Sequence, residues 1–541
     1  MKIRSFPALI ASGILLATAT LALSGCGVVV LYKTPQYTYA GRPVPPSKLL
    51  ERVLAAYSAT GTSGGLEILD GLRDLRRNVQ NTTKFFSISG YSDSEPISII
   101  NYPEETSGYV LGYQTGTLTA INYSKESQIG AVGNYGSSPP SAAASQLGTA
   151  FAGAAQQAGL LVFTTNGGTY SLNLPGVNKV VIDPGFSVVL AMVQNSNTLY
   201  RIVRLPQTPN PVLPPGYVDC EPLLLPQYCV VPVAGTYDRP VNVNFSLDGS
   251  TAYVLNSGPE NGGTTASVSF LNMAPLNINT VPTVNPLSVP TTDPSYPMAT
   301  LPNGVLNPVA IPGGVTASVA DGTYLYLAGQ QLVSGTTYNG RTNTAYKGLF
   351  AGNLTTINLN TYAVSTPVSI SDGTHTKLLF ADNNTLWIAS SNCANGVRAA
   401  TATAELAAQN YTDQAGNYNC LTMATTGTAT PPATIVPVVV QSNVSTVTPV
   451  VVPYVNTNQN QYYYGSATGL CWVQNYYKVF TAYGGQIHAF YTGANPSPIV
   501  ETQSEDQNGG TPGLEIDNIN MTVQGTVFDV AYMDAETDTA D

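Results

Sequence analysis

The stretch Phe245-Ser-Leu-Asp-Gly-Ser-Thr-Ala-Tyr-Val-Leu-Asn-Ser-Gly258, followed by Ala266-Ser-Val-Ser-Phe-Leu271, decides how the rest of the chain is read. Asp248-Gly249 is a turn dipeptide, because Asp bonds back to nearby backbone and Gly takes positive φ without steric cost. Thr251 to Leu255 is rich in β-branched and aromatic residues, and Ser267 to Leu271 alternates polar with apolar side chains. Two short strands bounded by turns make a hairpin.

The same phrase recurs along the chain. Its copies are Arg52 to Tyr57 with Gly65 to Leu69, Tyr109 to Tyr113 with Gly116 to Ile121, and Leu160 to Phe163 with Gly168 to Leu174. Next come Val188 to Met192 with Asn197 to Ile202, and Asp321 to Leu327 with Leu354 to Leu359. The last two are Asn384 to Ala389 with Cys420 to Met423, and Lys478 to Tyr483 with Gln486 to Phe490. With the opening stretch this makes eight hairpins, recurring at about 40 to 60 residues, which is what the middle strands of propeller blades require. The opening copy resembles the YVTN-type β-propeller repeat, whose consensus runs Ser-Pro-Asp-Gly and then Tyr-Val; Leu247 stands where that consensus has Pro. The resemblance implies an all-β β-propeller, and the hairpin count predicts seven or eight blades of antiparallel strands.

Two details bear on that number. Ser47 to Tyr57 and Leu66 to Arg77 are rich in Leu, Glu and Arg and read equally well as amphipathic helices, which would delete the earliest hairpin. At the other end, Thr526 to Met533 is strand-like and is expected to pair with the N-terminal blade, since an unclosed ring leaves an exposed edge. The final Asp534-Ala-Glu-Thr-Asp-Thr-Ala-Asp541 reads as a short solvated acidic tail. The expected organisation is residues 1–25 as a signal peptide, 26–46 as lipidated N-terminus and spacer, and 47–541 as the propeller with loop insertions.

The address is written in the first residues. Lys2 and Arg4 precede an apolar stretch from Phe6 to Leu23 and then Leu23-Ser-Gly-Cys26, the order of an export signal. Leu23 to Cys26 resembles the lipobox of bacterial lipoproteins, which implies acylation of Cys26 with diacylglycerol and palmitate and a membrane anchor. An uncleaved membrane span is the competing reading, weakened by Pro7, Ser12, Gly13, Thr18 and Thr20. Gly27 rather than Asp after the cysteine favours the outer membrane of the cell envelope. Gly41-Arg-Pro-Val-Pro-Pro46 reads as an extended spacer.

Without Lys2 and Arg4 the balance is 18 basic against 31 acidic residues, a net of −13, which makes nucleic acid an unfavourable partner. Beyond Cys26 five cysteines remain. Local pairing of Cys220 with Cys229 and of Cys393 with Cys420 is expected in an exported chain. Cys471, in the apolar run Gly469-Leu-Cys-Trp472, then stays free as a buried small hydrophobe.

Chemistry is sparse. His375, after the turn Ser371-Asp-Gly-Thr374, is expected to be exposed, and His488 to be packed within a strand. Gly61-Thr-Ser-Gly-Gly65 matches the nucleophile-elbow pattern, but in a Gly-rich connector Ser63 reads as a turn residue. No metal-ligand spacing occurs; Asp93-Ser-Glu95 and Glu104-Glu105 read as solvated loop carboxylates. Gly167-Gly168, Gly313-Gly314 and Gly484-Gly485 read as hairpin turns needing positive φ. Trp387 and Trp472 are too few for cofactor docking of the quinoprotein kind, so no cofactor is expected. Asn456 to Gln461 running into Tyr462-Tyr-Tyr464 suits sheet surfaces better than a sugar groove. The expected function is a membrane-tethered binding or interaction module for an envelope protein or glycan, with no catalytic residue assigned. The alternative is a lactonase-like hydrolase using a central-channel site with His375 or His488.

Overall fold

The Asp-Gly turn folds as its chemistry dictates. Asp248 Oδ1 accepts from the Ser246 hydroxyl (2.6 Å) and the Ser250 amide (3.0 Å), while Ser246 Oγ accepts from the Thr251 amide (2.9 Å) and Gly249 sits at φ +67°. These bonds, the Ser246 hydroxyl first, hold the Asp248 carboxyl below the usual range. The turn joins Pro240–Phe245 to Thr251–Asn256; Ser267–Asn272 and Val309–Ala310 complete a four-stranded antiparallel sheet.

The computed structural model describes residues 43–49, 51–59, 63–71, 86–102, 107–206, 213–221, 226–338, 341–392, 420–426, 436–439, 466–473, 476–483, 485–493, 513 and 525–534. Eight such sheets form the blades of an all-β propeller. Blade 1 orders Thr526–Tyr532, Arg52–Ser58 and Gly64–Asp70. Blade 2 runs Pro96–Ile100, Ser107–Gly112, Thr117–Asn122, Ser127–Asn134, and blade 3 Ser141–Ala144, Ala150–Ala155, Leu160–Thr165, Gly168–Asn173. Blade 4 runs Val177–Ile182, Val189–Val193, Leu199–Leu205, Gln227–Val233, with Asp219–Cys220 outermost. The sheet of the opening stretch is blade 5. Blade 6 runs Ala317–Ala320, Tyr324–Leu332, Phe350–Asn358, Val368–Ser369, and blade 7 Thr374–Ala381, Thr385–Ser391, Leu421–Thr425, Val436–Val439. Blade 8 runs Ala467–Val473, Lys478–Tyr483 and Gln486–Tyr491. The first-named strand of each blade is innermost, where it meets its counterparts in the neighbouring blades.

All eight hairpins are present, one per blade, so the count is eight rather than seven. The helical reading of Ser47 to Tyr57 fails: Arg52 to Ser58 pairs residue for residue with Gly64 to Asp70. Only in blade 3 is the hairpin displaced, supplying the two outer strands. Its inner pair, Ser141–Ala144 with Ala150–Ala155, consists almost wholly of Ala and Gly with Phe151 and Ser141, and so carries little strand signal.

Packing follows the ring. Apolar faces of adjacent sheets bury one another in eight successive clusters. Val110 of blade 2 meets Leu54 of blade 1, Phe151 of blade 3 meets Tyr109 of blade 2, and Ile202 of blade 4 meets Phe163 of blade 3. The series continues round to Trp387 of blade 7 against Phe490 of blade 8, and Phe480 of blade 8 against Val53 of blade 1. Each fully buried side chain of this size contributes ~1.5–3 kcal/mol.

The ring is closed by both ends of the chain. Thr526–Tyr532 pairs with Arg52–Ser58 as expected, but Asp534, the first residue of the acidic tail, is not solvated; residues 535–541 lie outside the described residues. Asp534 is buried, and its carboxylate accepts from the Arg52 amide (2.6 Å) and from Arg52 Nη2 (2.6 Å); Arg52 Nη1 reaches Glu126 of blade 2 (2.9 Å). Glu126 also accepts from the Ser47 amide (2.8 Å) and hydroxyl (2.5 Å), which docks the end of the spacer onto the ring. For Asp534 the expectation of solvation fails for a long-range reason: a residue 482 positions away supplies the cation.

Removing one partner of a buried ion pair strands the other. Asp534→Ala should therefore lower stability by ~3–5 kcal/mol, read as a fall in the urea midpoint with an unchanged far-UV spectrum. A midpoint equal to wild type would show that the clasp does not hold the ring.

Candidate functional site

His375 is buried on the innermost strand of blade 7, its Nε2 3.0 Å from the Ser371 carbonyl, so the expectation of exposure is overturned: the turn ahead of it folds inward. His488 lies on the third strand of blade 8, packed against Tyr483 and Phe490. Cys471 is buried and free, and desolvation pushes its thiol up to about 12, which keeps it protonated. Ser63 is in the loop of the first hairpin, its carbonyl accepting from the Ala59 amide, and no helix follows it. Trp387 is core, and Trp472 donates to Asp382 (2.6 Å). Asp93 is no solvated carboxylate: it is buried and accepts from the Glu95 amide (2.8 Å), the Thr115 amide (3.1 Å) and the Thr115 hydroxyl. Cys26, Glu104-Glu105 and Asn456 to Tyr464 lie outside the described residues.

Cys220 and Cys229 face each other on the outer edge of blade 4 and form a disulfide. Cys420 is disulfide-bonded as well; Cys393, its expected partner, lies outside the described residues.

The innermost strands carry a recurrent bulge. The ladder skips one residue between Pro96 and Ser98, Val177 and Lys179, Pro240 and Asn242, His375 and Lys377, and Ala467 and Gly469. In blade 1 the step falls between Val527 and Asp529. Ser98, Lys179, Asn242, Lys377, Gly469 and Asp529 are therefore equivalent positions on six of the eight inner strands; those of blades 3 and 6 pair without the step. Gly469 leaves room for Asp529, which accepts from the Ile99 amide (2.8 Å) and pairs with Lys377 across blade 8 (3.6 Å). Burial raises the Asp529 carboxyl against that pairing, and burial lowers the Lys179 ammonium. This ring is polar, but neither histidine occupies one of its positions.

A second polar link lies at the ends of the second strands. Glu260, in the 3-10 turn Gly258–Asn261 of blade 5, accepts from the Gln330 amide (3.1 Å) and side chain (3.2 Å) of blade 6; Gln330 Oε1 accepts from Gly373 of blade 7 (3.2 Å). Gly314 does not adopt positive φ as expected of a hairpin turn. It is glycine because a Cβ would fall on the Glu260 carboxylate.

The largest departure from plain blades is at blades 4 and 5. Residues 273–308 leave the third strand of blade 5; near Ile278 they lie on blade 4, where the Ile278 amide donates to Ser187 O (2.7 Å) and the Arg204 amide donates to Ile278 O (2.7 Å), and from Pro297 on they return to blade 5, where the Ala299 amide donates to Phe270 O (2.9 Å). Arg201, only 6% exposed, anchors this insertion: Nη1 donates to Asn277 O (3.0 Å) and Nη2 to Thr280 O (2.9 Å). Gly216, in blade 4's own insertion, packs on Asn285, and the Tyr217 hydroxyl donates to Pro282 O (3.4 Å). Together they enclose a recess of about 190 Å³ lined by Arg201, Pro232, Pro275, Pro282, Val284 and Pro286 among others. Burial lowers the Arg201 guanidinium to about 10. Sequence reading passed over Arg201: the strand Leu199 to Leu205 carries both Arg201 and Arg204, and nothing in its local pattern says which one is buried.

No protein-family model matches the chain, and no curated protein matches it. Among solved structures it is similar to a Bacteroides fragilis protein provisionally assigned as a 6-phosphogluconolactonase, at 12% identity over 72% of this chain and 94% of that one (TM-score 0.37). It is similar also to a protein of unknown function from Desulfotomaculum acetoxidans, at 9% identity over 88% of this chain and 98% of that one (TM-score 0.37). A third is the dihydro-heme d1 dehydrogenase NirN, at 11% identity over 92% of this chain and 82% of that one (TM-score 0.41). At these scores the likenesses carry no argument about chemistry.

Desolvation raises the Glu260 carboxyl from 4.5 to about 7 despite its bonds from Gln330. A carboxyl with a raised folded-state value contributes fully below its unfolded value and loses that contribution as pH rises to the folded value. Glu260→Gln should gain stability on wild type between about pH 4.5 and pH 7 and keep the gain above it. Urea midpoints of both proteins across this range check it; a constant difference would remove Glu260 as the titrating group.

Proposed function

We propose that the chain is a membrane-tethered β-propeller acting as a binding module in the bacterial cell envelope, with an envelope protein as its partner. One observation carries this reading. Among the described residues, the segments 213–220 of blade 4 and 282–287 of blade 5 meet through Gly216 on Asn285 and the Tyr217 hydroxyl on Pro282 O, next to the Cys220–Cys229 disulfide, yet they leave Leu213, Val218, Val284 and Leu287 exposed. Leu287 is 62% exposed and Val284 52%. Apolar side chains clustered on rigid loops mark an interaction surface rather than ordinary scatter. Their aliphatic character suits a protein better than a glycan, which is gripped by stacking aromatic rings and hydrogen bonds. Lipid at Cys26 would hold this surface at the membrane, with outer-membrane placement following from Gly27.

Leu213→Lys with Leu287→Lys changes only exposed side chains and should leave stability within about 0.5 kcal/mol. Crosslinking in intact envelopes should join wild type to one defined protein and fail to join the double variant to it. Retention by the variant, or no crosslink to wild type, overturns the reading.

Cys26→Ser should move the protein from the membrane fraction to the soluble one with its fold unchanged, as fractionation and circular dichroism would show. A variant that stays in the membrane removes the lipid anchor.

A further inference from the structure

Arg52 and Arg201 are both buried guanidinium groups, and they are treated differently. Arg52 is neutralised by Asp534 and Glu126. Arg201 meets two neutral carbonyls, and no ion pair to it is found among the described residues. A guanidinium has five N–H donors, and the two carbonyls take two of them. Anchoring the insertion explains those two bonds but not the charge, since a buried unpaired cation is costly and a neutral amide donor would serve.

The recess supplies the rest. Its walls are mostly prolines and aliphatic side chains such as Val233 and Leu276, with Thr280, Thr283 and Ser295 as the polar residues beside Arg201. The nearby Asp293 carboxylate is engaged by the Ser295 amide (2.8 Å) and hydroxyl (2.7 Å). At about 190 Å³ the recess holds the liquid volume of about six waters, enough for one apolar residue and its carboxylate. Val284 lines the recess and is also 52% exposed, so the recess is continuous with the apolar surface of the two insertions.

We propose that this recess captures the carboxyl terminus of the partner chain, its last apolar side chain against the prolines and its terminal carboxylate on Arg201. The inference rests on the apolar surface being the partner-binding face and names how that face selects its partner. Continuity with the exposed Val284 and Leu287 favours a chain terminus, whose preceding residues run out along the insertion, over a free small acid. Chain-end carboxylates are a recurrent recognition element, and guanidinium binds them with charge-assisted hydrogen bonds.

The test uses the full chain and fluorescent pentapeptides ending in Val, Leu, Ile, Met or Phe, each as free acid and as C-terminal amide, with binding read by polarisation. At least one free acid should bind about tenfold tighter than its amide, the worth of one charge-assisted contact. Arg201→Gln should erase that difference. The acid–amide comparison on wild type stands even if the variant loosens the insertion. Equal binding of acids and amides overturns carboxylate capture while sparing the apolar surface. Hexanoate displacing the peptide at the peptide's own concentration overturns the chain-end assignment in favour of a small-acid site. Binding by no peptide overturns the inference, whereas the crosslinking of wild type decides the partner reading separately.

Discussion

The ring depends on one contact between residues at opposite ends of the chain. In blades 4, 5 and 6 the turn from the innermost to the second strand is closed by an aspartate: Asp183 accepts from the Ser187 amide (2.6 Å), Asp248 from Ser250, and Asp321 from the Thr323 (2.8 Å) and Tyr324 (2.7 Å) amides. Blade 1 has no such turn, because its first strand comes from the C-terminus and its second from the N-terminus. Asp534 nevertheless accepts from the amide that opens the second strand, that of Arg52, so the turn's bond survives without its covalent loop. What the missing loop would have supplied in chain entropy, the guanidinium and its second carboxylate supply as geometry.

That geometry specifies register more than it adds stability. A buried ion pair roughly offsets its own desolvation, so its net contribution is small even though breaking it is costly. A one-residue slip of Thr526–Tyr532 would turn its inward side chains outward and carry Asp534 away from Arg52. Glu126 ties the same cation to blade 2, and Asp529 reaches Ile99 of blade 2 on the channel side. The closing strand is thus fixed to the blade that follows at its midpoint, through Asp529, and just past its end, through Asp534 and Arg52.

What was legible in the sequence was local. Every hairpin could be found because turn residues and β-branched or aromatic runs act over a dozen residues, and the Asp-Gly turn behaves in the structure as its side chains require. The inner pair of blade 3 escaped notice because alanine carries no strand preference. The bulges on the inner strands escaped because they depend on neighbouring blades. The polar residues escaped for a related reason. Whether Asp534, His375, Asp93 or Arg201 faces solvent is decided by partners up to 482 positions away, and no local pattern encodes that.

The same division explains why the candidate binding surface sits on the rim. Inner strands must satisfy eightfold packing, and their equivalent positions are constrained by both neighbours, as Gly469 is by Asp529. Insertions between the outer strands face no such constraint and can grow without disturbing the ring. Among the described residues, Cys220–Cys229 staples the edge of blade 4 and Arg201 pins blade 5's insertion, while Leu213, Val218, Val284 and Leu287 stay out of the core. Rigid, apolar and remote from the channel, this rim can present a fixed surface because the closed ring beneath it bears the cost of folding.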